Sequence, residues 1–219
     1  MKNQRILDAR SLLENYINQY GSSAIILTNL AKTYNDTKTI KEILWQGILL
    51  DPNSEHTLDY WLAIINEQEG KEKYEKGLQK IMNLPNSWLA QMYLAFSKLQ
   101  DKNLKEAMPL IKHVLKIAPK ESQALFGLSG ALGKNGYYKE IIKFILPRCT
   151  PEIGYREGVI HNILSTFCDL KMPREGLNFI KDVRSSFAVQ TSLEKIEENL
   201  IEDDLKKHEE QLKLILTTL

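Results

Sequence analysis

Apolar residues recur every three to four positions along almost all of this chain, and stretches that alternate residue by residue are nearly absent. That spacing predicts amphipathic helices throughout and no sheet. The helical pattern is broken at a near-constant interval. Asp51-Pro52-Asn53-Ser54, Leu84-Pro85-Asn86-Ser87, Ala118-Pro119-Lys120-Glu121 and Thr150-Pro151-Glu152 each stop a helix and supply polar residues to cap the next. The prolines stand 33, 34 and 32 residues apart. A second pattern keeps the same interval: two charged residues, then a small or aliphatic one, then another aliphatic. It occurs as Lys41-Glu42-Ile43-Leu44, Glu75-Lys76-Gly77-Leu78, Lys105-Glu106-Ala107-Met108, Lys139-Glu140-Ile141-Ile142 and Arg174-Glu175-Gly176-Leu177. Its third positions are 34, 30, 34 and 35 residues apart. Such a period predicts one helix–turn–helix unit stacked on copies of itself.

The units fall at residues 22–52, 53–85, 86–119, 120–152 and 153–186. Inside them, Thr39-x-x-Glu42 and Asn103-x-x-Glu106 have the form of capping boxes, and Asn135-Gly136 supplies a left-handed turn. Ahead of them, Ile6, Leu7, Ala9, Leu13, Tyr16 and Ile17 predict one helix over residues 1–20, a half unit closing the start. After them, Thr191-x-x-Glu194 opens a last helix within residues 187–219, with Leu193, Ile196, Leu200, Leu205, Leu212 and Ile215 on its apolar side. A stack of repeats needs a polar outer face at each end, and this charged helix suits that place.

The recurring unit resembles the tetratricopeptide repeat (TPR). Its fullest copy runs over residues 88–119, with Leu94-Ala95 where the family has Leu-Gly, Ala107 at the small residue of the second helix, Ile111 at the aromatic and Pro119 at the terminal proline. A second copy carries Leu27, Leu30-Ala31, Tyr34 and Ile43, and a third Ile160, Ile163, Phe167, Gly176 and Ile180. Ile43 and Ile141 are larger than the family's small residue, and Pro109 inside a second helix removes one backbone hydrogen bond. The resemblance implies an all-α, right-handed superhelical solenoid of about five units over residues 21–186, with capping helices at both ends. It also implies a concave face lined by the first helix of each unit. On that face fall Thr28, Lys32 and Asn35, then Tyr60 and Ile64, then Leu89, Met92, Phe96, Leu99 and Gln100. Gln123, Phe126 and Lys134 follow, then His161, Ser165 and Asp169. Leu89, Met92, Phe96 and Leu99 share one helix stripe. They form an apolar groove if half exposed, and ordinary packing against the neighbouring helix if not. The lysine–asparagine–lysine–arginine clamp with which some members grip a C-terminal carboxylate has no match at Thr28, Lys32, Met92 and Phe96.

Composition narrows the function by exclusion. The net charge is +1, too balanced to argue for nucleic acid, although residues 192–219 carry −4 and the remainder +5. That acidic helix predicts either a solvated face or a shield lying along a basic groove. No apolar run approaches the length of a membrane span, and the N-terminus is no signal peptide. Cys149 and Cys168 read as small buried hydrophobes, which suits the cytoplasm. His56, His113, His161 and His208 fall in different units, so no metal or other cofactor is predicted. The glycine-rich stretch before Asn135 lacks the glycine and the Ser or Thr of a phosphate loop. Its glycines Gly127 and Gly130 predict close helix approach, with Gly136 at the turn. The expectation is therefore a non-catalytic protein-interaction module or scaffold, chaperone-like in one version, that takes a partner peptide or helix in its concave groove. The alternative is a self-assembling subunit forming a homodimer through the C-terminal helix.

Overall fold

The structure, a computed structural model, describes residues 2–118, 122–150, 157–186 and 194–218. Pro119, Pro151, Thr191 and Leu193, used above, lie outside the described residues, as do the side chains of His208, Leu212 and Ile215. Among the described residues the chain is all-α and has no strand. Its elements are α1 (Lys2–Tyr20), α2 (Ala24–Ala31), α3 (Thr37–Leu50), α4 (Glu55–Met82), α5 (Leu89–Gln100) and α6 (Leu104–Ile117). Then come α7 (Ser122–Lys134), α8 from Tyr138, α9 (Glu157–Asp169), α10 (Pro173–Ser186) and α11 (Glu194–Thr218). α4 is two helices joined without a loop, because Gly70 at φ 79°, ψ 179° breaks it in a conformation essentially reserved for glycine. Counting its halves separately, five helix pairs follow α1 among the described residues. Their first helices begin at Ala24, Glu55, Leu89, Ser122 and Glu157, steps of 31, 34, 33 and 35 residues. No described helix is long and apolar enough to cross a membrane.

The chain divides into two compact units, Met1–Lys98 with Lys105–Ile117, and Leu99–Leu104 with Ala118–Leu219. In the first, α2 packs on α3 and on α4, and α3 also packs on α4. Leu27, Leu44, Ile48, Leu58, Leu62, Leu78 and Ile81 form the core, each burial contributing about 1.5–3 kcal/mol. Close approach is made by Gly47, not by Ile43, which is only half buried. A methyl on Gly47 would stand 3.0 Å from Thr57 Cγ2 and 3.5 Å from the Ala24 backbone. The larger Ile43 thus turns aside, and the small residue serves one helical turn later. Gly77 does fill the predicted role, with the Trp61 ring over it.

Polar ties join neighbouring pairs at the same interval. The Thr28 and Thr57 hydroxyls are 2.7 Å apart, and Thr57 also reaches the Ala24 carbonyl. The Tyr93 hydroxyl donates to Asp59 at 2.7 Å. The Asn53 side-chain carbonyl accepts from the Trp88 and Leu89 amides at 2.9 and 3.0 Å, so a loop of one pair caps the first helix of the next. Caps differ from expectation at three helices: Ser54 makes no side-chain cap bond at α4, Asn53 and not Ser87 meets the amides of α5, and α3 is the third. Asp36, not Thr39, opens α3, accepting the Thr39 amide at 2.8 Å and its hydroxyl at 2.6 Å. Pro109 sits inside an unbroken α6 on its exposed side. α1 lies on α2 through half-buried Ile6, Leu13 and Ile17, while Leu7, Ala9 and Tyr16 of the predicted stripe are exposed. Arg10 fastens it, hydrogen-bonding Thr33 and stacking 3.7 Å over the Tyr34 ring.

The second unit repeats the same neighbour pattern. After Tyr138–Glu140, α8 widens into a π-helical turn at Ile141–Ile145 and tightens into a 3-10 turn at Leu146–Arg148. The bulky Ile141 is fully buried at that wider turn. α7 packs on α8 and on α9, α9 packs on α10 and α11, and α10 packs on α11. α11 therefore occupies the place of the first helix of a further pair. Leu200 is buried, set against Gly176, where an added methyl would come within 2.8 Å of it. Ile196 is half buried, whereas Leu205 of the predicted apolar side is 61% exposed. Arginines of α10 hold the acidic helix: Arg174 Nε lies 3.1 Å from Asp204, and Arg184 grips Glu197 with two bonds of 2.9 and 2.6 Å.

Candidate functional site

The predicted groove residues divide between the two compact units and differ widely in exposure. In the first unit Thr28 is buried with its hydroxyl bonded, Lys32 and Asn35 are exposed, and Tyr60 and Ile64 are half buried. Leu89 and Met92 are core residues, and Phe96 is half buried beside the Tyr93 ring. In the second unit Leu99 is fully buried and Gln100 exposed. Three of the four residues of the apolar stripe are thus packed inside, which is the plain-packing alternative for that stripe. Gln123 and His161 are half buried, and Phe126 is 50% exposed.

Three of the anticipated residues, Lys134, Ser165 and Asp169, fall around one cavity. On α7, Ser129, Gly130 and Gly133 make a strip with almost no side-chain volume. Facing it on α9 are Asn162, Ser165, Thr166 and Asp169, spaced three, four and seven along one helix stripe. A small strip opposite a polar one leaves a gap, and the gap is a cavity of about 200 Å³ also lined by Lys134 and Tyr138. Ser129 and Thr166 form its buried floor, and Lys134, Ser165 and Asp169 its exposed rim. The floor is a hydrogen-bonded lattice. Asn162 Nδ2 donates to Ser129 Oγ at 2.9 Å and to the Phe126 carbonyl at 3.5 Å. Ser129 Oγ donates to the Phe126 carbonyl at 3.0 Å, and Thr166 Oγ1 to the Asn162 carbonyl at 2.7 Å. At the rim, the Asp169 charge raises the pKa of the Tyr138 phenol, helped by burial and by a hydrogen bond between the two.

No protein-family model and no curated protein sequence matches the chain. The chemistry of the described residues must therefore be judged from geometry. Among them, no three His, Cys, Asp or Glu side chains gather to hold a metal ion. Both cysteines are free, and burial pushes the Cys149 thiol up to about 11. Cys168 is raised too, by burial and then by Asp203 and Asp169. Neither is a thiolate near neutral pH. A wider depression lies on α3 around Lys38, Lys41 and Trp45. The protein itself occupies its chemistry, since Lys80 covers the Trp45 ring at 3.8 Å and Lys41 pairs with Glu69 at 2.9 Å. Of the residues around the α7–α9 cavity, Lys134, Ser165 and Asp169 were expected on the concave face that the resemblance implies. Ser129, Thr166 and Asn162 were not, because their role depends on which helix α7 faces.

Proposed function

We propose that this chain is a TPR-like solenoid that binds a peptide segment of a partner protein on the face made by its first helices, with the α7–α9 cavity as its centre. The observation that carries this reading is the cavity itself: adjoining first helices present polar side chains into a gap that no described residue fills. The repeated neighbour pattern supports the solenoid, as do ties such as Tyr93 to Asp59 and Asn162 to Ser129, whose partners lie 34 and 33 residues apart. An open, partly apolar cleft of this size suits one side chain of an extended peptide, not a whole metabolite. The role is non-catalytic, a scaffold or a chaperone-like holder, and its compartment is the cytoplasm.

Selection of peptides from a displayed random library tests the reading. Peptides enriched on the intact chain should lose at least about tenfold in affinity for Ser165→Trp, which plugs the cavity from an exposed position. Peptides that bind both forms equally would place function on another surface. A second reading, self-association through α11, is favoured by the exposure of Ile201 and Leu205, at 45% and 61%. Light scattering decides it: a dimer that Leu205→Glu dissolves would support pairing, and a monomer would remove it.

A further inference from the structure

The donors and acceptors of the α7–α9 cavity are not balanced. Each described hydroxyl proton on its floor is already committed: Ser129 to the Phe126 carbonyl and Thr166 to the Asn162 carbonyl. The Asn162 amide hydrogens go to Ser129 Oγ and the Phe126 carbonyl. Tyr138 hydrogen-bonds Asp169 at the rim. What faces the gap is therefore mainly lone pairs, on the hydroxyl oxygens and on the Asp169 carboxylate. The field has the same sign. α7 ends at Lys134 and α9 at Asp169, so two helix C-termini, each with partial negative charge, converge at the rim. Lys134 is the one opposing charge among the cavity-lining residues, and it is exposed on a flexible stem.

We infer that the cavity receives a cationic side chain, the guanidinium or ammonium of an arginine or lysine in the bound peptide. This rests on the peptide-binding reading above and adds to it the chemistry of the residue recognised. A guanidinium brings five donors and no acceptor, which complements a lining of lone pairs, and its flat group fits a gap between two helices. An acidic side chain would have only Lys134 and Ser165 to meet it, and would face Asp169.

The test uses the intact ¹⁵N-labelled chain and two small probes, N-acetyl-arginine amide and N-acetyl-glutamate amide, followed by amide chemical shifts. The arginine probe should move the signals of Asn162, Ser165 and Asp169 saturably, with a Kd in the millimolar range expected of a lone side chain, roughly 1–20 mM. The glutamate probe should leave them in place. Asp169→Asn should weaken the arginine probe about fivefold or more, and Lys134→Gln should strengthen it about twofold. Both residues are exposed, so both variants keep the fold. The inference is overturned if the glutamate probe moves these signals, if Lys134→Gln weakens the arginine probe, or if the arginine probe fails to saturate. Its failure is distinct from that of the peptide reading. Library peptides that need Ser165 but seat a neutral or acidic residue would sink the inference alone, whereas arginine binding without any selected peptide would sink the wider reading alone.

Discussion

Single glycines show how steric detail outweighs propensity here. Replacing a helical glycine by alanine gains about 0.8–1 kcal/mol of helix propensity. At Gly133 the new methyl would meet Ile141 Cδ1 at 3.6 Å, an ordinary contact, so Gly133→Ala should stabilise the protein by about 0.5–1 kcal/mol. At Gly77 the same methyl would come within 2.9 Å of the buried Trp61 ring. Overpacking costs about 1–3 kcal/mol, so Gly77→Ala should destabilise despite its propensity gain. Urea unfolding of the two variants side by side should give opposite signs. A charged residue carries a further prediction. Burial alone would raise the pKa of Glu75, but hydrogen bonds from Lys98 at 3.1 Å and Ser97 at 2.9 Å outweigh it and hold it below 4.5. Its contribution, about 1 kcal/mol or less for a partly exposed pair, is full above pH 4.5 and fades as pH falls below it. The stability gap between wild type and Glu75→Gln should therefore narrow on acid titration. Gly77 could be read from its place in the repeated signature. Gly47 could not, because the register that aligns Ile43 with Gly77 hides the fact that Ile43 does not fit.

At the level of elements, the helix pairs were legible because amphipathic period and proline spacing are both local signals. Which face of α5 would be covered was not. Leu89, Met92 and Leu99 share a stripe whether they line a groove or a core, and only their neighbours decide. The caps divide in the same way. Ser23 accepts the Ile26 amide as a local N-cap should, but the amides opening α5 are met by Asn53, 35 residues upstream. Asn53→Ala removes both acceptor bonds and a donor bond of 2.9 Å to the Asn86 carbonyl. It should cost about 1–2 kcal/mol, where an ordinary loop asparagine costs almost nothing. Faster amide exchange at Trp88 and Leu89 would locate the loss.

Within each compact unit, side-chain ties join successive helix pairs, so damage should stay near its source. Leu200 is fully buried at the junction of α11 with α9 and α10. Leu200→Asp puts an unpaired carboxylate there and should cost at least about 3 kcal/mol. Hydrogen exchange should show protection falling in α9 and α10 while α2 and α3 keep theirs; uniform loss would contradict this local organisation. The Asn53 cap has one more consequence, and it concerns time. During synthesis Asn53 leaves the ribosome well before the helix whose first amides it receives. The third pair thus meets its cap already in place, and the loop to be closed is near one repeat in length. The entropy of that closure grows only with the logarithm of loop length, so a span of one repeat costs little more to close than a much shorter loop.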